Sequence, residues 1–135
     1  MKSEKIDYLC KCNRQKINKI YMFKRKAIED LRIWAKKTDR KPLILRGARQ
    51  VGKTTLIHAF GKEFDHYIAL NLEKKEDSDL FKEVTNAKNI FQVICFIKHV
   101  KYGNGKTLLF IDEIQENATA VAMLRYFYED MPELY

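Results

Sequence analysis

Gly47-Ala48-Arg49-Gln50-Val51-Gly52-Lys53-Thr54 fits G-x-x-x-x-G-K-S/T, the phosphate-binding P-loop. The setting agrees with the motif. Pro42-Leu43-Ile44-Leu45 before it is a short apolar run of the kind that forms a buried strand, and Thr54-Thr55-Leu56-Ile57-His58-Ala59-Phe60 after it can open a helix. Gly47 permits a sharp turn out of the strand. Residues 48 to 52, Ala48, Arg49, Gln50, Val51 and Gly52, would wrap their backbone N–H groups around a β-phosphate, with Gly52 allowing close approach. The helix beginning near Lys53 would aim its positive end at the same anion. Lys53 would place its charge between β- and γ-phosphates. Thr54 would ligate Mg²⁺ and Thr55 would reach an α-phosphate oxygen.

Thr107-Leu108-Leu109-Phe110-Ile111-Asp112-Glu113 is an apolar run ending in two acids. It reads as a Walker B strand carrying a carboxylate to its tip. Asp112 would hold Mg²⁺, and Glu113 would orient and polarise an attacking water. Alone, such a run is weak evidence, because many strands leave the core through acidic residues. Behind a P-loop it gains weight, and the adjacent Glu113 favours ATP hydrolysis over a small-molecule kinase. No Asn-Lys-x-Asp guanine motif follows Asp112.

Together, Lys41 through Thr54 and Leu109-Phe110-Ile111-Asp112-Glu113-Ile114-Gln115-Glu116 resemble the prokaryotic AAA-type predicted ATPases, as does Arg125 through Leu134. The resemblance covers residues 22–135. It implies an α/β fold of the P-loop NTPase type (AAA/ASCE), a three-layer sandwich with a parallel sheet. It further implies that ATP and Mg²⁺ are the ligands and that the full-length protein hydrolyses ATP, with a homo-oligomer as the working form. In such proteins a C-terminal domain follows the P-loop domain. Residues 1–21 then read as an upstream extension without order. Leu134-Tyr135 reads as the start of the sensor-1 strand, which the resemblance places between the P-loop strand and the Walker B strand. Sensor 1, sensor 2 and an arginine finger would lie beyond it, and Arg125 is poorly placed to serve as that finger. Related ATPases use a polar residue at the end of the second strand to restrain the Walker B glutamate, and Asn71 occupies that position. The alternative is a truncated, catalytically inactive module that binds nucleotide or, through its basic leader, nucleic acid.

Composition narrows the classes. The 135 residues are 46% hydrophobic, enough for one folded domain with a core. No apolar run approaches a membrane span, and Met1-Lys2-Ser3-Glu4-Lys5 opens no signal region, so a cytoplasmic location is expected. The three cysteines, Cys10, Cys12 and Cys95, lack the paired spacing of a zinc site. The net charge of +8 is uneven. Residues 1–41 hold 14 Lys/Arg and 5 Asp/Glu, while residues 42–135 hold 12 and 13. Lys24-Arg25-Lys26 could touch nucleic-acid phosphates, although a solvated helix face is the commoner reason for such a cluster.

The remaining elements follow from periodicity. A helix is expected over 23–37 and strands over 42–46, 67–72 and 107–111. Residues 73–78 read as a polar loop and 79–84 as a short helix. A helix over 89–100 would bury Ile90, Val93, Ile94, Ile97 and Val100, and the β-branched content of this stretch also allows a strand. Another over 119–128 would bury Val121, Leu124, Phe127 and Tyr128. His58, His66 and His99 show no ligand spacing and read as structural.

Overall fold

The computed structural model describes residues 26–47, 51–83, 86–101 and 103–135. Cys10, Cys12, Lys24, Arg25, the 1–21 extension and the P-loop residues Ala48, Arg49 and Gln50 lie outside them. The chain divides after Trp34 into two units. Helix α1 is described over 26–35, with Leu31 buried and an ion pair between Glu29 and Arg32 on its surface.

The second unit runs through α2 (Lys53–Gly61), β1 (His66–Asn71), α3 (Lys75–Asp79), α4 (Ala87–Ile97), β2 (Thr107–Asp112), a 3₁₀ turn (Ile114–Glu116) and α5 (Ala118–Asp130). β1 and β2 pair in parallel, His66 opposite Thr107 through Asn71 opposite Asp112. Alternation along the strands sorts their side chains onto two faces. Ile68, Leu70, Leu109 and Ile111 point into a core built with Phe91, Ile94 and Cys95 of α4 and Ala120, Met123 and Phe127 of α5. Tyr67 and Phe110 face the other way, against His58 of α2. The result is a helix–sheet–helix sandwich with a parallel sheet, the P-loop NTPase arrangement.

Gly61 closes α2 because the helix lies directly on Tyr67. A Cβ added there would stand 2.6 Å from the Tyr67 ring. α4 and α5 start at asparagine caps. Asn86 accepts from the Asn89 N–H at 2.8 Å and Asn117 from the Ala120 N–H at 3.1 Å.

Several expectations require correction. Residues 42–46 are not in a ladder, and Leu43, Ile44 and Leu45 are exposed, Ile44 to 58%. A strand exists only with a partner for its backbone groups, and none pairs with this run among the described residues. Next to β2, on the edge away from β1, lies Tyr135. Its N–H donates to the Thr107 carbonyl at 2.9 Å and its carbonyl accepts from Leu109 N–H at 2.7 Å. Arg40 holds this segment in place. It donates to the Pro132 and Leu134 carbonyls at 3.1 and 3.2 Å and stacks 3.6 Å from the Tyr135 ring centre.

The expected loop over 73–78 is mostly α3, which ends at Asp79, and residues 80–83 of the helix expected over 79–84 are not helical. The buried Asp77 explains the fold-back. Its carboxylate accepts from Asn71 N–H at 2.8 Å and from Lys98 Nζ at 2.9 Å. On α4 the buried stripe is Ala87, Ile90, Phe91, Ile94 and Cys95, while Val93 and Ile97 are exposed. Phe91 is fully buried against β1 and α5, while the equally large Phe96 is 81% exposed, so packing rather than side-chain size sets the phase of the stripe. On α5 the stripe is Ala120, Met123 and Phe127, with Val121 exposed and Leu124 and Tyr128 half-buried.

Candidate nucleotide site

Two distant sequence motifs meet at one end of the sheet. The Thr54 hydroxyl, on the first turn of α2, donates to Asp112 Oδ2 at 3.0 Å. The second Asp112 oxygen accepts from Glu113 N–H at 3.1 Å. A hydroxyl and a carboxylate side by side, both open to solvent on one side, form a donor set suited to a hard divalent cation.

The turn into α2 depends on Gly52, whose φ of 85° is left-handed. Space is not the constraint, since nothing lies within 4 Å of a Cβ added there. Leu56 N–H returns to the Gly52 carbonyl at 3.0 Å and starts the helix. No side chain among the described residues caps the N-terminus of α2, and its first turn holds no acidic residue. A helix N-terminus of this kind carries partial positive charge that favours an anion. Lys53 Nζ donates to the Gly47 carbonyl at 2.9 Å, so the ammonium folds over the loop it would leave for a phosphate. Val51 is exposed at the loop, and Thr55 is exposed on α2.

Glu113 leaves β2 with a φ of 51°, unusual for a residue with a side chain. Its carboxylate accepts from the Gln115 side-chain amide. Asn71 does not restrain it. The Asn71 side chain accepts from Glu73 N–H at 3.0 Å, closing a local turn. Arg125 pairs with Glu129 along α5 at 2.7 Å.

Behind the site, Tyr67 Oη and His58 Nδ1 lie 2.9 Å apart, joining α2 to β1. Burial, and secondarily the Asp112 charge, push the Tyr67 phenol up to about 12. Sequence reading assigned no partner to His58 or Tyr67, because they sit on separate elements. Gln115 lies within the string that carried the family resemblance, but nothing in the string states its contact. His66 Nε2 lies 2.6 Å from the Asn104 carbonyl, and His99 adopts a φ of 55°. Among the described residues no cluster of His, Cys, Asp and Glu could hold a metal by itself.

A parallel sheet covered by helices on both faces, with the helix after the P-loop and a strand ending in a carboxylate converging at its end, is the fold of the P-loop NTPase class. Residues 39–135 match the family model of the AAA domain. The chain belongs to that P-loop ATPase family. It is also 33% identical over 86 residues, 60% of this chain, to the replication factor C large subunit of Methanosphaera stadtmanae. That match spans only 14% of the relative's length. No solved structure matches the chain. No helix among the described residues is long and apolar enough to cross a membrane.

Proposed function

We propose that this chain binds Mg·ATP and contributes the binding half of an ATP-hydrolysing site. The observation that carries this reading is the Thr54–Asp112 hydrogen bond, which joins motifs 58 residues apart. Gly47, Ala48, Arg49, Gln50, Val51 and Gly52 would cradle the phosphates, with Lys53 on the β- and γ-phosphates and Thr55 on the α-phosphate. Thr54 and Asp112 would hold Mg²⁺, which when bound would supply charge neutralisation at the phosphates. Glu113 would accept the proton of the attacking water.

The domain proposed for this work is residues 22–135, in a cytoplasmic protein that oligomerises. The apolar run 42–46, which pairs with no strand among the described residues, is exposed along its length and would suit a further strand beside it. A second reading is that nucleotide is held but not turned over. Loss of an arginine finger in trans would itself slow hydrolysis by roughly three to five orders of magnitude. The likeness to a replication factor subunit, with the basic residues 1–41, makes nucleic acid a candidate partner. DNA titrations at rising salt test that point, and no binding at low salt would remove it.

Binding of a fluorescent ATP analogue tests the main reading. Lys53→Ala is expected to weaken affinity by roughly ten- to a hundredfold, the worth of a charged hydrogen bond or two. Equal affinity in the variant and the native chain would refute it. Glu113→Gln should leave binding intact and abolish any hydrolysis.

A further inference from the structure

We propose that Gln115 is the positioning residue for the Glu113 carboxylate, whereas the family resemblance points to Asn71 as the residue in contact with it, there as a restraint. The inference rests on the reading of Glu113 as the group that polarises water, and it names what sets that group's direction.

Asn71 is already committed. Its backbone N–H donates to the buried Asp77, its carbonyl accepts from Lys74 N–H at 2.9 Å, and its side-chain oxygen accepts from Glu73 N–H. Strand register places it opposite Asp112, not Glu113. The left-handed turn at Glu113 takes that residue out of the ladder and into the 3₁₀ turn Ile114–Glu116.

This turn is fixed at both ends. At its start Glu113 N–H donates to Asp112 Oδ1, and Glu116 N–H returns to the Glu113 carbonyl at 3.0 Å. At its end the Asn117 side-chain amide donates to the Ser78 carbonyl at 3.2 Å and to Ser78 Oγ at 2.9 Å, while its oxygen caps α5. Between these anchors Gln115 donates its side-chain amide to Glu113 Oε2. A carboxylate with one oxygen held by an amide presents the other oxygen in a defined direction. Gln115 is exposed and Glu113 half-buried, so the contact sits at the mouth of the site, where a substrate would meet it.

Nuclear magnetic resonance of the ¹⁵N-labelled full chain reads the contact without any turnover. Glu113→Gln is expected to shift the Gln115 side-chain amide protons and leave those of Asn71 in place. Unmoved Gln115 resonances, or movement at Asn71 instead, would overturn the proposal. The kinetic arm compares Gln115→Ala with the native chain. A fall in kcat of about tenfold with KM unchanged within about twofold is expected, the worth of one positioning hydrogen bond. Equal kcat would overturn it, as would a change confined to KM. Failure of the underlying reading looks different, since Glu113→Gln would then hydrolyse ATP as fast as the native chain. Where hydrolysis is too slow to measure, the resonance shifts decide.

Discussion

Replacing Asp77 with alanine removes the tie that holds three elements together. The Asp77 side chain is 8% exposed, and its two oxygens serve Asn71 N–H at the tip of β1 and Lys98 Nζ after α4, at 2.8 and 2.9 Å. Asp77→Ala leaves the Asn71 N–H without its partner, a loss of about 1–3 kcal/mol. It also breaks an ion pair whose lysine is 32% exposed, so that share lies well below the figure of about 3–5 kcal/mol for fully buried pairs. A total near 3 kcal/mol follows. Asp77→Asn keeps an acceptor for Asn71 and should cost about 1–2 kcal/mol. Small domains are stable by only about 5–15 kcal/mol, so Asp77→Ala uses a large share of the total. Urea unfolding followed by circular dichroism should show the midpoint falling in the order native, Asn, Ala with the slope unchanged. Amide exchange should quicken first at Asn71 and Leu72, whose N–H groups bond Asp77 and Asp112. Equal losses for Asn and Ala, or a loss for Ala below about 1 kcal/mol, would refute the assignment of the Asn71 contact as the main term.

Other consequences are testable. Gly61→Ala drives a methyl against the Tyr67 ring at 2.6 Å and should cost about 1–3 kcal/mol by overpacking, seen as a lower unfolding midpoint. An unchanged midpoint would mean that α2 does not lie on Tyr67. Because the Tyr67 phenol is raised to about 12 in the folded chain from 10.0, its contribution is fully present below pH 10 and is lost as pH rises toward 12. Tyr128 is also pushed up, by its hydrogen bond to Asp39. Tyrosinate absorbance should show a late-titrating group near 12 that Tyr67→Phe removes, and Asp112→Asn should lower its midpoint. Ile44, 58% exposed, should tolerate aspartate with a stability change of about 0.5 kcal/mol or less, while self-association measured by sedimentation falls. A large stability loss would show that residue 44 is buried against a partner strand.

The parts of the fold that the sequence carries locally were readable there. β1, β2, α2 and α5 each have their own apolar pattern, whereas the starts of α4 and α5 at the Asn86 and Asn117 caps lie one or two residues before the periodic stretch. The phase of α4 was not readable, because Val93 and Ile97 satisfy a helical stripe as well as Phe91 and Cys95 do. Only packing against β1 and α5 chooses between them. α3 was hidden because Lys75-Glu76-Asp77-Ser78-Asp79 has no apolar residue, and its buried side chain is a carboxylate whose partners lie on other elements. Residues 42–46 show the opposite limit. An apolar run predicts a strand, but strand formation needs a neighbour that these residues do not pair with. At the site, the two motifs that hold Thr54 and Asp112 were legible as patterns, and the structure joins those two side chains by a hydrogen bond. The Gln115–Glu113 and His58–Tyr67 contacts were not, since nothing in the residue order specifies them.

Calorimetric titration of ATP into the native chain and into Asp112→Asn, each with and without Mg²⁺, tests the central claim most directly. The two motifs that meet at Thr54 and Asp112 are expected to make affinity for ATP rise with Mg²⁺ in the native chain, and the substitution should remove most of that rise. Equal dependence on Mg²⁺ in both proteins, or no binding of ATP by the native chain, would contradict it.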